Sequence, residues 1–476
     1  MKLKDLLENN AVTSIGDTEI TSVTDDTRKV KPGSLFVCVK GGSFDGHTAA
    51  AEMLEKGAAA VVCEHDLGLG KRQIITENSR KLYGELCAAW FGHPERKMTL
   101  IGVTGTNGKT TITNVIKHIL MANGHKTGLI GTIRNEIGDD VLPTENTTPM
   151  AYELMSVFDK MAAAGCEYVV MEVSSFALVQ HRIGPARFRA ALFTNLTQDH
   201  LDYHKDMEDY YQAKKMLFDA CDTAIVNVDD EYGRRLFREI SCDKKSFGIN
   251  ETADFSAEVL SLRSTGSSFV INHSVRINSP VPGMFNVSNI LAAFTVCSLI
   301  GLPEKNIVSA VEDFKGVRGR CEVIPTGRDF TVICDYAHTP DAVENILKSV
   351  KEYTEGRLIC LFGCGGNRDG AKRPKMAEAA AKYADRLIVT SDNPRNEKPE
   401  DIISDILAGL KNTETPYDVV TDRREAIYYG LKIAEKGDII VLAGKGHEDY
   451  QVLAGMKHIH FDEREVVADG LKLLER

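Results

Sequence analysis

The chain has no apolar run of the roughly 18–20 residues needed to cross a bilayer, which argues against a membrane-spanning protein. Its opening residues, Met1 to Asn10, lack the apolar stretch of a secretory signal, so a cytoplasmic location is expected. Basic residues are not in surplus: 57 Lys and Arg face 68 Asp and Glu, a net charge of −11. Nucleic-acid binding needs cationic surface to displace counterions, so that role is excluded, although a few Arg and Lys in one cleft can still hold a small anion. Cysteine pairs at metal-ligand spacing are missing too. Of 11 Cys the closest are Cys360 and Cys364, with no second pair beside them, so no zinc site is expected. Cysteines inside apolar runs, such as Cys38 and Cys334, read as reduced core residues. There is no fixed-period repeat and no low-complexity tract.

What is present is a long chain of ordinary globular composition, 476 residues with 43% hydrophobic content. At roughly 100–200 residues per domain, two to four domains are expected. Three stretches differ in texture. Residues 1–97 carry short apolar runs (Ser34–Val39, Ala58–Cys63) around a helical pattern near Ala49–Lys56, a small α/β unit. From Met98 onward, strand-like runs at Thr99–Val103, Tyr168–Val173, Ala190–Thr194 and Thr223–Val228 alternate with helical patterns, as in a doubly wound, mostly parallel sheet. From Arg318, runs at Thr331–Cys334, Leu358–Phe362, Leu387–Val389 and Asp438–Ala443 repeat that alternation in a Rossmann-like α/β domain. The expected divisions are therefore 1–97, 98–317 and 318–476.

Polar clusters follow these strands directly: Asn195–His200, Asp335–His338, Gly363–Asp369, Ser391–Arg395 and Gly444–Glu448. Open α/β sheets bind ligands outside the carboxyl ends of their strands, so these clusters are expected to line clefts.

The most specific local signal is Gly105-Thr-Asn-Gly-Lys-Thr-Thr111, set between a strand and a helix. Glycines let backbone N–H groups approach phosphates, and the helix N-terminus adds positive potential. Gly105, Thr106, Asn107 and Gly108 form the cradle. Lys109 supplies charge for the β- and γ-phosphates, and Thr110 and Thr111 supply hydroxyls, Thr110 for Mg²⁺. The glycine spacing is shorter than in the general G-x₄-G-K-[ST] loop, since Val103 stands where the first Gly would fall. The loop alone establishes a nucleoside-triphosphate site and leaves kinase, ATPase and ligase open.

Thr104–Thr111 closely resembles the loop of the Mur ligase family. In the same order follow Asn146-Thr-Thr-Pro149, Glu172-Val-Ser-Ser175, Thr194–His200, Gly283–Asn289, Arg318-Gly-Arg320 and Asp335–Pro340. The resemblance implies three domains: a small N-terminal α/β domain for a UDP-linked substrate, a central P-loop ATPase domain, and a C-terminal amino-acid-binding domain. It implies an ATP-dependent ligase that joins meso-2,6-diaminopimelate to UDP-N-acetylmuramoyl-L-Ala-D-Glu through an acyl phosphate. A lysine-adding member and a folylpolyglutamate-type ligase are the alternatives.

The resemblance also implies roles. Lys109, Glu172, His200 and Lys214 are expected to be catalytic, with Thr110, Glu172, His200 and Lys214 serving Mg²⁺. Lys214 is expected to be carbamylated by CO₂; Lys215 is the alternative one residue on. Asn289, Arg320 and Asp335 are expected at the nucleotide. Asn146, Thr147, Thr148, Ser174, Gln180 and Arg182 are expected to hold the UDP-muramoyl dipeptide. Thr27, with Asp25 and the Gly42–Gly46 turn, is expected at its uridine end. Arg368, Asp392, Asn393, Pro394, Arg395, Gly444 and Glu448 are expected around diaminopimelate. Arg395 carries the selectivity, because a guanidinium fork pairs a carboxylate that lysine lacks. One departure from the family pattern is Phe176, where His is usual. A monomer acting on small molecules is expected.

Overall fold

The computed structural model describes residues 1–8, 15–42, 44–200 and 203–474. The chain divides into two compact units, residues 1–254 with 295–300, and residues 255–294 with 301–476.

The first unit opens with α1 (Leu3–Leu7), β1 (Ser22–Thr24), β2 (Ser34–Val37), α2 (Ala50–Glu55), β3 (Ala60–Cys63), β4 (Gln73–Ile75) and α3 (Ser79–Trp90). The four strands pair in parallel, in chain order. Then come β5 (Thr99–Thr104), α4 (Lys109–Ala122), β6 (Thr127–Ile130), β7 (Asn135–Ile137), β8 (Asp140–Leu142), α5 (Ala151–Ala163), β9 (Tyr168–Glu172), α6 (Ser175–Val179), β10 (Phe188–Phe193), α7 (Met207–Lys215), β11 (Cys221–Asn227), α8 (Glu231–Glu239) and β12 (Asp243–Gly248). These strands run in the order β12-β11-β10-β5-β9-β6-β7-β8. The pairs from β12 to β6 are parallel, and the hairpin β7–β8 closes the edge antiparallel. β5 lies between β9 and β10, so chain connections leave it toward opposite edges. That is the switch point where doubly wound sheets bind ligands.

The two sheets of this unit share one core. Leu35, Val37 and Val62 of the first sheet, Leu82 and Leu86 of α3, and Leu154 and Phe158 of α5 belong to one continuous buried cluster with Val169 and Met171 of β9. The sequence predicted a separate small domain up to residue 97. Its fold is independent, but its packing is not. The joint is tightest where Gly84 of α3 meets Gly184: a Cβ on Gly84 would lie 2.8 Å from the Gly184 α-carbon and 2.9 Å from the His181 carbonyl oxygen.

The second unit begins with an antiparallel meander, β13 (Phe255–Arg263), β14 (Gly266–Ile271) and β15 (Val275–Ser279), which periodicity did not reveal. It continues with α9 (Met284–Leu299), whose residues from 295 on count with the first unit, α10 (Glu304–Asp313), β16 (Glu322–Ile324), β17 (Thr331–Asp335), α11 (Pro340–Lys351), β18 (Leu358–Phe362), α12 (Lys372–Ala381), β19 (Arg386–Val389), α13 (Pro399–Ala408), β20 (Tyr417–Val419), α14 (Arg423–Ile433), β21 (Ile439–Ala443), the hairpin β22 (Tyr450–Leu453)–β23 (Lys457–His460) and α15 (Glu463–Leu473). Its main sheet runs β16-β17-β21-β18-β19-β20, antiparallel only at β16. The side-chain period of two divides each central strand between two cores. Ile439, Val441 and Ala443 of β21 face α11, α12 and α13, while Ile440 and Leu442 face α14 and α15. Strands buried on both faces read as continuous apolar runs, which is why the sequence reveals them.

Gly84→Ala should force α3 away from the His181–Gly184 turn. The expected result is a lower urea midpoint, a loss of about 1–3 kcal/mol from overpacking.

Candidate active site

The loop between β5 and α4 is held from the side. Gly105 has φ +145°, and a Cβ there would sit 1.8 Å from Thr194 Oγ1, so only glycine fits. Thr194 Oγ1 donates to the Asn107 carbonyl at 2.7 Å, Asn107 N–H donates to Asn195 Oδ1 at 2.9 Å, and Thr106 N–H donates to the Asn195 carbonyl at 2.9 Å. The segment after β10 thus fixes the segment after β5. Gly108, at φ +89°, caps α4, whose first residue is Lys109. Peptide dipoles put partial positive charge at that end.

Two lysines converge on one carbonyl. Lys109 Nζ donates to the oxygens of Gly105 (2.8 Å) and Thr106 (2.7 Å), and Lys214 Nζ donates to the Gly105 oxygen at 2.8 Å. Lys214 is buried and lies over the Tyr210 ring, 4.4 Å from its centroid, one helical turn earlier on α7. Burial, and then the charge of Lys109, push its pKa well below the ordinary lysine value. Lys215 points elsewhere and pairs with Glu239 at 2.7 Å. The structure therefore separates two neighbours that the sequence could not.

Glu172 ends β9, beside Val103 of β5. Its carboxylate is buried and accepts Thr132 N–H on Oε1 (2.9 Å) and Thr132 Oγ1 on Oε2 (3.0 Å). The Thr132 hydroxyl also lies 3.0 Å from Thr147 Oγ1. Gly131 leaves room for that carboxylate: a Cβ there would lie 2.5 Å from Glu172 Oε1 and push it from this position. Thr148 Oγ1 donates to the Glu172 carbonyl (2.9 Å) and accepts Ser174 N–H (3.0 Å), and Ser174 caps α6. Arg182 donates to the Thr148 carbonyl (2.9 Å) and forks onto Gln180 Oε1 at 3.0 and 2.8 Å. The expected dipeptide residues Thr147, Thr148, Ser174, Gln180 and Arg182 are thus one bonded chain beside Glu172. Asn146 is exposed at its start.

His200 has φ +53° and a half-exposed side chain. Phe176 meets its ring edge-on, with centroids 5.1 Å apart, and packs on Tyr203 at 4.2 Å. The nearby His204, buried, bonds Ser175 Oγ (2.9 Å) and Asp209 (3.0 Å). An aromatic contact therefore stands at the position where the family pattern has a histidine. Thr27 lies in the turn after β1, on the first sheet, and Asp25 beside it has its pKa raised by burial. Of the Gly42–Gly46 turn, Ser43 lies outside the described residues.

In the second unit, Asn289 is buried on α9 and donates to Asn286 Oδ1 at 3.3 Å. Arg320 lies over the Tyr336 ring at 5.1 Å, and the Tyr336 ring meets His447 at a tilt, with centroids 4.8 Å apart. Asp335 accepts Cys321 N–H on one oxygen (2.7 Å) and Ala337 N–H on the other (2.8 Å), so it shapes the loop that carries Arg320 and Tyr336. His447 Nδ1 is buried and has no hydrogen-bond partner among the described residues. Burial first, then Arg320, Arg464 and Arg318, lower its pKa to about 4.

The segment Asp392–Arg395 follows β19 and is packed between two glycine loops. A Cβ on Gly366 would lie 2.0 Å from the Pro394 oxygen, and one on Gly444 3.0 Å from Asp392 Oδ2. Arg395, at φ +52°, donates Nη1 to the Gly366 carbonyl at 2.9 Å. Asn393 donates to Glu448 Oε2 at 3.0 Å. Arg368 is exposed on the neighbouring loop. Burial opposes ionisation of Asp392, but Lys445 and Arg423 outweigh it and hold the carboxyl below its ordinary value. Sequence reasoning quoted Gly444–Glu448 but passed over Lys445 and His447. The signal was a lysine between two glycines at a strand end. Among the described residues no three His, Cys, Asp or Glu side chains gather in a metal-binding group, and no helix is long and apolar enough to cross a membrane.

Family models match three stretches: the Mur ligase family catalytic domain over 19–89, the Mur ligase middle domain over 103–297 and the Mur ligase glutamate ligase domain over 319–446. All three stretches are α/β domains. The chain is 43% identical to the UDP-N-acetylmuramoyl-L-alanyl-D-glutamate–2,6-diaminopimelate ligase of Caldanaerobacter subterraneus subsp. tengcongensis, covering 100% of both. It is likewise 43% identical to the ligase of that name from Bacillus cereus, covering 95% of this chain and 94% of that one. A solved structure of a ligase of that name superposes with TM-score 0.74 at 30% identity, covering 100% of this chain and 99% of the other.

His447 generates a pH prediction. The unfolded chain takes up a proton near the ordinary value of 6.5, whereas the fold excludes it until about 4. Stability from this group is full above 6.5 and is lost as pH falls toward 4, at up to about 1.4 kcal/mol per pH unit. Urea melts across that window should show the slope, and His447→Gln should flatten it.

Proposed function

Because the chain belongs to the Mur ligase family, we infer that it is an ATP-dependent ligase that adds meso-2,6-diaminopimelate to UDP-N-acetylmuramoyl-L-alanyl-D-glutamate in peptidoglycan synthesis. One observation carries the activity: end-to-end identity, at 43%, with a relative of that name. We place the domain boundaries at 97/98 and 317/318.

The reaction makes an amide from a carboxylate and an amine. The D-glutamyl γ-carboxylate attacks the γ-phosphorus of ATP, and the bond to the β,γ-bridging oxygen breaks to release ADP. The amine of diaminopimelate then attacks the acyl phosphate, loses a proton, and displaces phosphate. Both partners of the first step are anions, so charge neutralisation is the main demand. Lys109 and the N-terminal end of α4 meet it at the phosphates, with Thr106, Asn107, Thr110 and Thr111 around them. Asn289 and Arg320 serve the nucleotide, with Asp335 shaping the loop that carries Arg320. Thr147, Thr148, Ser174, Gln180 and Arg182 hold the dipeptide, Asn146 extends that chain, and Thr27 reaches the uridine end.

The donors on the first unit fit Mg²⁺, a hard ion that prefers oxygen. Thr110 offers a hydroxyl, and Glu172 a carboxylate whose orientation Thr132 fixes from both oxygens. His200 is the one nitrogen donor. When bound, the ion neutralises phosphate charge.

Lys214 supplies the missing anionic oxygens through CO₂. Its depressed pKa favours the neutral amine, whose lone pair bonds to the carbon of CO₂ while a C=O electron pair moves to oxygen and a proton leaves nitrogen. Intact-mass spectra of the enzyme in bicarbonate should show an added CO₂ that Lys214→Ala lacks. Activity of CO₂-depleted enzyme should recover with bicarbonate. If neither holds, the carbamate is discarded.

Arg395, with Arg368, Asp392, Asn393, Pro394, Gly444 and Glu448, forms the diaminopimelate pocket. The guanidinium pairs the distal carboxylate. Competition between meso-diaminopimelate and L-lysine should give a kcat/KM ratio strongly favouring the former. Arg395→Ala should cut that ratio by about 10- to 150-fold, the worth of one charged hydrogen bond. Equal kcat/KM in the wild type would overturn the selectivity, and no product with UDP-muramoyl dipeptide would overturn the function.

A further inference from the structure

The side chain of Lys445 is fully buried in the second unit, on the loop after β21. Its ammonium has three hydrogens and meets three acceptors: Asp392 Oδ1 at 3.3 Å, Asn393 Oδ1 at 3.0 Å and Glu448 Oε2 at 3.1 Å. All its donors are directed at groups of the proposed pocket.

Each acceptor is then constrained further. Asn393 Oδ1 also accepts Val452 N–H at 2.9 Å, which fixes the amide orientation, so its Nδ2 can only point the other way, onto Glu448 Oε2 at 3.0 Å. Glu448 Oε2 therefore receives both Lys445 and Asn393, and no described residue donates to Glu448 Oε1. The charges do not cancel. One ammonium faces two carboxylates, while Arg423 is paired with Glu463 at 2.7 Å. A carboxylate in that condition, on a side chain only 15% exposed, favours an incoming cation. On the opposite side Arg395 Nη1 is anchored to Gly366 and Asn393 carbonyls, at 2.9 and 3.4 Å.

We propose that Lys445 is a positioning residue for amino-acid recognition: by holding Glu448 and Asn393 it turns Glu448 Oε1 toward the distal ammonium of diaminopimelate, as Arg395 receives the distal carboxylate. Lysine carries an ammonium but no carboxylate at that end, so the pair reads both poles of the distal head. The proposal rests on the assignment of Asp392–Arg395 to that pocket.

The test is steady-state kinetics of the full-length enzyme, varying each substrate in turn. Lys445→Gln should raise KM for meso-diaminopimelate by about 10-fold or more, the worth of one charged hydrogen bond, and leave KM for ATP and for the UDP-muramoyl dipeptide unchanged. Because Lys445 acts through Glu448, the Lys445→Gln/Glu448→Gln pair should bind diaminopimelate within about 3-fold of Glu448→Gln alone, a non-additive cycle. An unchanged diaminopimelate KM, three KM values rising together, or an equal effect in both backgrounds would overturn the proposal. If Lys445→Gln does not fold, Lys445→Arg, which keeps the charge but not the three-way geometry, is measured in the same way, and an unchanged diaminopimelate KM in that variant overturns the proposal. Arg395→Ala separates the two failures: if it also leaves the diaminopimelate KM unchanged, the pocket itself is misassigned; if it raises it while Lys445→Gln does not, only the role of Lys445 falls.

Discussion

Two ammonium groups share the carbonyl oxygen of Gly105, and much of the first unit serves to hold that oxygen still. Gly105 must lie against Thr194, so β5 and β10 must be neighbours, and their following segments are bonded to each other through Asn107 and Asn195. Lys109 reaches the carbonyl from the first turn of α4, and Lys214 from the last turn of α7. Burial first, and then the nearby charge of Lys109, disfavour the protonated form of Lys214. The geometry therefore favours a Lys214 without its proton, and the same feature that strains the electrostatics makes the amine chemically available.

The second unit uses buried charge in a different way. Lys445 and Arg423 have no access to solvent, and each is matched to specific acceptors on loops after β19 and β21 or on α15. Ion pairs in such surroundings contribute little net stability, because desolvation offsets their attraction. What they contribute is direction. Asn393, Glu448 and Arg395 are each fixed by at least one bond to a neighbouring loop, so a small zwitterion would meet preset poles instead of mobile side chains.

Phe176 illustrates the limits of motif reading. The sequence marks it as a departure without a consequence. The structure places it among His200, Tyr203 and His204, all aromatic, where its ring packs against theirs. The neighbourhood is organised by ring contacts and by the buried His204–Ser175 bond. Asp335, expected at the nucleotide, accepts a backbone amide on each oxygen, two bonds that its motif does not show.

The sequence alone determined the strands and the chemistry of the loops. β18 and β21 are buried on both faces, so their apolar runs stand out, and the Gly105–Thr111 loop carries its chemistry in consecutive residues. It also placed the clusters at strand ends, because chain order and strand order are coupled in a doubly wound sheet. It showed the meander β13–β15 only weakly, because those strands bury a single face and β13 is interrupted by a bulge between Val259 and Ser261. It put Lys214 ahead of Lys215 by resemblance alone, since both lie on one short helix and only packing buries the first while the second pairs with Glu239. It could not single out Lys445, because two of its three acceptors, Asp392 and Asn393, lie more than fifty residues away. The shared Gly105 carbonyl is the same kind of fact. Lys109 and Gly105 are four residues apart, but Lys214 reaches them across 109 positions of sequence. Local order is written in spacing; burial and the convergence of charge exist only once the chain has closed on itself.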